Sequence, residues 1–157
     1  VNITAGNPYF NPHVNRPYDT GPYIPPEHPL DGVARLLGMA CGIRRAVPGM
    51  LVVASGLTWL REYGANAAAG GVREGRFDFA GFGRQAFAYP GFAADILESG
   101  GMDRGKCCIA CGKCSEIMRF DGRAGCVVRD ADTYLPIYRE ASAGKPPLSG
   151  KHGAEHV

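Results

Sequence analysis

The sequence has no long run of charge of one sign. It carries 17 Lys and Arg residues against 15 Asp and Glu residues, a formal net charge of +2 at pH 7. A protein that binds nucleic acid through electrostatic attraction usually presents a basic stripe, so no nucleic-acid partner is expected. The sequence also lacks an apolar run of the roughly 18 to 20 residues that a membrane-spanning helix needs. We therefore expect no membrane span.

Nothing in the sequence resembles a secretory signal. Disulfide bonds form in oxidising compartments, so the six cysteines are not expected to pair. At 157 residues the chain has the length of one ordinary domain. It begins at Val1, without Met, inside an apolar run. This start leads us to expect a piece of a longer protein.

What the sequence does contain is a group of cysteines between Cys107 and Cys126. Four of the five follow the spacing Cys108-x2-Cys111-x2-Cys114-x11-Cys126. Four thiolates can hold either a 4Fe-4S cluster or a zinc ion. Zinc sites usually come as two separated CxxC pairs, whereas CxxCxxC with a distant fourth cysteine is typical of clusters. The cluster is favoured, with zinc or buried free thiols as the alternatives.

Before the cysteines, segments with strand character alternate with segments with helix character. The sequence predicts strands at 1–5, 50–54 and 77–82, helices at 28–47, 58–74 and 91–98, and a further helix at 130–140. Alternation of this kind is typical of a parallel α/β sheet with right-handed crossovers. The long loop at 6–27 is expected to be ordered and to help build a site.

Two sets of apolar side chains are predicted to pack in the core. In the helix at 28–47 the apolar positions at helical spacing are Leu30, Val33, Leu37, Ala40, Cys41 and Val47. The aromatic residues predicted to lie in the core are Trp59, Tyr63, Phe77, Phe79 and Phe87.

Ligands of parallel α/β folds bind beyond the carboxyl ends of the strands. Ser55-Gly56 and Gly83-Arg84 follow two such strands. Glycine there lets backbone N–H groups approach an anion, and arginine offers a fork for phosphate. If these are the last two strands of an eight-stranded barrel, the four residues form its phosphate site; plain turns are the alternative. His13, in the loop after the first strand, is a candidate catalytic residue or a surface histidine.

Three motifs are similar to the carboxyl-terminal part of the old yellow enzyme family: FDFAGFGRQAFAYPGFA at 77–93, CCIACGKC at 107–114 and AGCVVRD at 124–130. The resemblance covers about residues 1–139. It is nearest to the iron–sulfur branch, which includes NADH:flavin oxidoreductases, 2,4-dienoyl-CoA reductase and trimethylamine dehydrogenase. It implies strands six to eight of a TIM barrel in residues 1–102 and a 4Fe-4S-binding segment in 103–140, which also holds the short predicted helix. Family members without a signal sequence are generally cytoplasmic, so the resemblance, with the lack of a targeting signal, predicts a cytoplasmic location. The tail at 141–157 has no periodicity and is expected to be disordered.

The resemblance also implies roles for individual residues. The residues that would contact the FMN phosphate are Ser55, Gly56, Gly83 and Arg84. The ligands of the 4Fe-4S cluster would be Cys108, Cys111, Cys114 and Cys126. His13, within HVNR, resembles a histidine that assists protonation of the substrate in dienoyl reductases. In the implied reaction, NAD(P)H or electrons arriving through the cluster reduce FMN, and the reduced flavin passes hydride to an activated alkene, such as an enoyl-CoA-like substrate.

The sequence departs from the family in what it lacks. Strands one to five have no counterpart, and the GxGxxG motif of additional nucleotide-binding domains is missing. Three βα units cannot close a barrel and leave strand edges open. We therefore expect the isolated chain to be inactive without the missing half-barrel or a partner chain. A second copy of the chain is one candidate for that partner, which would make a homo-oligomer. The alternatives are an iron–sulfur electron-transfer or accessory subunit whose partner supplies the rest of the barrel, and a structural zinc module.

Overall fold

A computed structural model describes residues 1–5, 12–17 and 24–145 of the chain. Within these ranges, helices surround a small parallel sheet. The elements are α1 (Pro12–Asn15), α2 (Pro29–Ala46), β1 (Val53–Ala54), a 3-10 helix (Leu57–Tyr63), α3 (Gly64–Arg73), β2 (Phe79–Ala80), α4 (Gly83–Ala88), α5 (Phe92–Ser99), α6 (Lys113–Arg119) and α7 (Ala131–Ser142). No helix in the described residues is long and apolar enough to cross a membrane.

The sheet is parallel, and its strands are shorter than predicted. Val53 of β1 lies opposite Phe79 of β2, and Ala54 lies opposite Ala80. Asn2 adds an isolated parallel bridge to Val53. The three segments predicted as strands are therefore neighbours, but regular pairing covers only part of each. Their membership of strands six to eight of a TIM barrel stays a prediction.

The first hydrophobic cluster joins this sheet to α2. Its buried members are Ala40, Val52, Ala54 and Phe77, with Ile3 and Leu37 packed against them. The helix begins at Pro29, whose fixed φ suits a first turn, and His28 Nδ1 accepts a hydrogen bond from the backbone N–H of Leu30 at 3.2 Å. One face of the sheet is thus covered by α2, and His28 caps the first turn of this helix.

The buried face of α2 differs in part from the predicted face. Val33, Leu36 and Ala40 are buried, whereas Leu30 and Val47 are largely exposed. Both exposed residues lie at the ends of the helix, and the core meets its middle. The prediction was therefore wrong at its two ends and missed Leu36.

The aromatic residues do not all pack in the core. Phe77 is 2% exposed, but Tyr63, Phe79 and Phe87 are 67%, 54% and 48% exposed. The prediction is correct for Phe77 and wrong for these three. Aromatic character shows that a side chain can fill a core, but it does not show which face of its element meets the core.

The helix predicted at 58–74 is broken into two. Arg61, in the 3-10 helix, has φ 53° and ψ −125°, a conformation outside the helical region. α3 then starts at Gly64, where an added Cβ would lie 3.0 Å from the carbonyl oxygen of Leu57 and 3.0 Å from the ring of Phe82. A residue without a side chain therefore lets the chain pass close to both neighbours.

The cysteine segment is packed against the α/β part through a second hydrophobic cluster. Its buried members are Tyr89, Met102 and Cys107, and the residues packed against them are Ala65, Phe82, Phe92 and Ile96. The segment contains α6, which the sequence did not predict. The Tyr138 hydroxyl of α7 donates a hydrogen bond to Glu116 Oε2 of α6 at 2.6 Å, so the last helix is attached to the cysteine segment.

Two predictions fall partly outside the described residues. The long loop at 6–27 contains the short helix α1, and its residues 6–11 and 18–23 lie outside the described ranges. The tail predicted to be disordered at 141–157 begins inside α7, which ends at Ser142. Residues 146–157 lie outside the described ranges.

Candidate metal centre

The four predicted ligand cysteines line one pocket. The residues around it are Arg84, Phe87, Cys108, Ile109, Cys111, Gly112, Cys114, Cys126, Val127, Val128 and Arg129. Cys108 and Cys111 precede α6, Cys114 lies in its first turn, and Cys126 lies in the loop between α6 and α7. Cys126 therefore lines the same pocket as the other three although it lies 12 positions after Cys114 in the chain.

Cys107 directly precedes Cys108 in the chain, but it is not one of the described residues that line this pocket. It is fully buried in the second hydrophobic cluster. Burial raises the pKa of its thiol, which the Gln85 side chain partly opposes through a hydrogen bond. A buried protonated thiol behaves as a small apolar group, so Cys107 serves packing.

The four cysteines line the same pocket, but they do not form a ready-made metal site. Among the described residues, no three His, Cys, Asp or Glu side chains are grouped so that they could hold a metal ion. Four thiolates can hold a zinc ion or a 4Fe-4S cluster, and the choice between the two stays a prediction.

Burial works against ionisation of two of these thiols. It raises the pKa of Cys108 and of Cys114. The Arg84 guanidinium acts in the opposite direction on both, and Arg16 acts likewise on Cys114. Since a metal is bound by the thiolate and not by the thiol, a metal at this pocket would displace protons, and the neighbouring cations would favour the thiolate form.

Backbone N–H groups point at two of the sulfurs. The N–H of Ala110 donates to Cys108 Sγ at 3.4 Å, and the N–H of Arg129 donates to Cys126 Sγ at 3.3 Å. Ala110 has φ 58° and Gly112 has φ 80°, so the chain turns sharply between the ligands. The small side chain of Ala110 thus lets the backbone turn close to the Cys108 sulfur.

Gln85 of α4 holds the cysteine loop through a buried hydrogen bond. It is fully buried, and its Oε1 accepts a hydrogen bond from the backbone N–H of Cys108 at 3.0 Å. Its Nε2 lies 3.5 Å from Met102 Sδ. The sequence analysis missed this residue. The available signal was its helical spacing from the buried Ala88 and Tyr89, which marks a polar residue on an apolar face.

Arg129 holds the same loop through two further hydrogen bonds. Its Nε and Nη2 donate to the carbonyl oxygen of Cys107 at 3.1 and 3.0 Å. The segment that carries Cys126 is thereby tied to the segment that carries Cys108. No local pattern in the sequence predicted this contact, because it joins positions that are distant along the chain.

The residues predicted to bind the FMN phosphate are only partly together. Ser55 lies beside Gly81, since a Cβ added to Gly81 would lie 2.9 Å from Ser55 Oγ, and the Ser55 hydroxyl donates to Asn2 Oδ1 at 2.8 Å. Gly56 has φ 98° and directly precedes the 3-10 helix. Gly83 opens α4, but the Arg84 side chain lines the cysteine pocket. Phosphate binding by these residues stays a prediction.

His13 lies on α1 and is half-buried. Its carbonyl oxygen accepts a hydrogen bond from Arg35 Nη2 at 3.2 Å, and the carbonyl oxygen of Val14 accepts one from Arg35 Nη1 at 3.1 Å. From the same segment, Arg16 Nη1 donates to Ser115 Oγ at 2.5 Å. The HVNR stretch therefore sits between α2 and the cysteine segment. A catalytic role for His13 stays a prediction.

A second cavity, of ≈ 440 Å³, also borders the cysteine segment, at Ile109 and Ala110. Its lining residues are Leu30, Trp59, Leu60, Arg61, Glu62, Tyr63, Arg104, Ile109 and Ala110. Trp59, predicted to lie in the core, therefore borders a cavity. Its ring meets that of His28 edge to face, with the ring centroids 6.1 Å apart.

Comparisons with protein-family models, with curated proteins and with solved structures find no match to this chain. The resemblance to the old yellow enzyme family therefore rests on the sequence motifs alone.

Proposed function

We propose that the cysteine pocket holds a 4Fe-4S cluster and that the chain is the carboxyl-terminal part of an FMN-dependent NAD(P)H oxidoreductase. The observation that carries the proposal is that Cys108, Cys111, Cys114 and Cys126 line one pocket. Thiolates in this number suit such a cluster.

The protein's own residues have defined tasks in this proposal. The four cysteines hold the cluster, which when bound supplies one-electron transfer. Gln85 and Arg129 hold the chain on either side of Cys108 through their hydrogen bonds to backbone groups. The N–H groups of Ala110 and Arg129 that point at sulfur stabilise negative charge on the ligands.

The proposed flavin site lies at the carboxyl ends of β1 and β2. Support comes from the parallel pairing of the two strands and from the closeness of Ser55 and Gly81, because parallel α/β folds bind ligands at this edge. FMN, when bound, supplies hydride transfer between NAD(P)H and an activated alkene. His13 is the candidate for holding the proton delivered to the substrate. The parent protein, completed by the missing half-barrel, would be the active enzyme.

A second candidate function is an iron–sulfur electron-transfer or accessory subunit that pairs with a separate chain. One observation favours it. All the described residues around the cysteine pocket come from 84–129, so none of the three strand segments contributes to this site. The flavin site, by contrast, would need strands from elsewhere.

The test is to measure iron, acid-labile sulfide, zinc and flavin in the chain purified anaerobically, in parallel with two variants. Cys111→Ser removes a ligand that lines the pocket, and Cys107→Ala changes its neighbour in the core. We expect iron and sulfide in the wild type and in Cys107→Ala, and loss of both in Cys111→Ser. Zinc without sulfide in the wild type, or unchanged iron in Cys111→Ser, would overturn the proposal. Flavin bound by the isolated chain would count against the need for a half-barrel.

A further inference from the structure

Arg84 presents an unusual guanidinium group. It lines the cysteine pocket, and its Nη1 atom is buried without a hydrogen-bond partner among the described residues. A buried donor left unpaired costs about 1–3 kcal/mol, so native structures rarely keep one without a reason. Arg129, which lines the same pocket, instead uses Nε and Nη2 to bind the carbonyl oxygen of Cys107.

The charges around the pocket are of one sign. Arg84 and Arg129 line it, and among the described residues no Asp or Glu does so. The Nη1 atom of Arg84 has no partner among the described residues, and a buried polar donor without a partner is costly. The surroundings therefore suit an occupant that brings negative charge, and four thiolates around a metal group do so.

We propose that Arg84 is the counter-cation of the four-thiolate centre, so that its guanidinium serves the metal group and not a flavin phosphate. This inference rests on the proposed function. Oxidised, the thiolate-ligated centre already carries negative charge, and adding an electron increases it. A fixed positive charge at Arg84 therefore stabilises the reduced state more than the oxidised state, and net charge is one of the factors that set the potential of iron–sulfur clusters.

The test compares Arg84→Gln, which removes the charge, with Arg84→Lys, which keeps it on a shorter side chain without the fork. Arg45→Gln is the matched control, because Arg45 is an exposed residue of α2 and is not among the residues that line the pocket. The first measurement is the midpoint potential of the reconstituted cluster. The second is the affinity of the metal-free chain for Co²⁺, which reports on thiolate ligation without needing a cluster.

We expect a more negative midpoint potential for Arg84→Gln than for the wild type, with Arg84→Lys between them and Arg45→Gln unchanged. Co²⁺ should bind Arg84→Gln about tenfold more weakly, the usual size of the effect of a neighbouring cation on an ionised group. A wild type that holds the cluster while Arg84→Gln leaves potential and affinity unchanged would overturn this inference and leave the proposed function standing. Equal losses in Arg84→Lys and Arg84→Gln would show that charge is not the cause. A wild type that binds neither cluster nor Co²⁺ overturns both.

Discussion

Replacing Gln85 by leucine should destabilise the fold and empty the metal site together. Leucine is close in size to glutamine, so the substitution leaves little cavity. It removes the acceptor of the Cys108 N–H, which Gln85 Oε1 holds at 3.0 Å inside the core. Gln85 itself is fully buried, so water does not easily replace the lost partner. The Cys108 N–H would be left unsatisfied.

The size of the effect follows from that unpaired group. A buried donor without a partner costs about 1–3 kcal/mol of folding free energy. For a chain of this length, each kcal/mol lowers the melting temperature by roughly 2–4 °C. We therefore expect the metal-free Gln85→Leu variant to melt about 2–12 °C below the wild type. Cluster content after reconstitution should fall as well, because the Cys108 backbone is no longer held.

The assay combines thermal unfolding of the metal-free, reduced chain, followed by circular dichroism, with iron and sulfide analysis after reconstitution. Ala88→Gly is the control. Ala88 is a buried residue of the same helix, it does not line the pocket, and glycine should cost about 0.5–1 kcal/mol. The control should lose stability and keep its iron at a temperature where it is folded. A Gln85→Leu variant with wild-type melting and wild-type iron content would refute the role assigned to Gln85.

Two further predictions concern packing and pH. Gly71→Ala should destabilise the chain by about 1–3 kcal/mol, because the new Cβ would lie 2.1 Å from the buried Phe77 ring. Gly70→Ala is the control, because Gly70 lies one position earlier in α3 and no atom lies within 4 Å of the new Cβ. It should stabilise the chain by about 0.5–1 kcal/mol. Urea unfolding measures the stability of both variants, and equal effects would contradict the packing argument. The hydrogen bond from Arg35 lowers the pKa of Glu27 below its ordinary 4.5. The ionised Glu27 side chain therefore contributes stability that is fully present above pH 4.5 and is lost as the pH falls through the lower pKa of the folded state. Acid titration of stability should show this loss in the wild type and not in Arg35→Gln; identical acid profiles would exclude the linkage.

Several elements could be predicted from the sequence because their signals are local. The helices at 28–47, 91–98 and 130–140 appear as α2, α5 and α7 with ends shifted by one or two positions. Proline at the start of α2 and glycine after α5 are signals of this kind. The cysteine spacing likewise placed Cys108, Cys111 and Cys114 in one short stretch, because positions three residues apart along the chain stay close in space.

Other features could not be predicted because they depend on contacts between distant positions. The break at Arg61 accompanies the close passage of Gly64 beside Phe82, and no pattern within 58–74 indicates it. The exposure of Phe79 and Leu30 depends on where the sheet and α2 end against the core. An apolar pattern shows which residues can be buried, but the amount of partner surface decides which ones are.

By itself, the sequence determined the set of four cysteines, their order in a short segment, and the alternation of strand and helix that precedes them. These are properties of spacing and local preference, which act over a few residues. Only the tertiary structure decided that Gln85 and Arg129 hold the cysteine loop and that the Arg84 side chain lines the cysteine pocket. The reason is physical: the partner of a buried polar group is chosen by how helices and loops pack, and that choice is made across the whole chain.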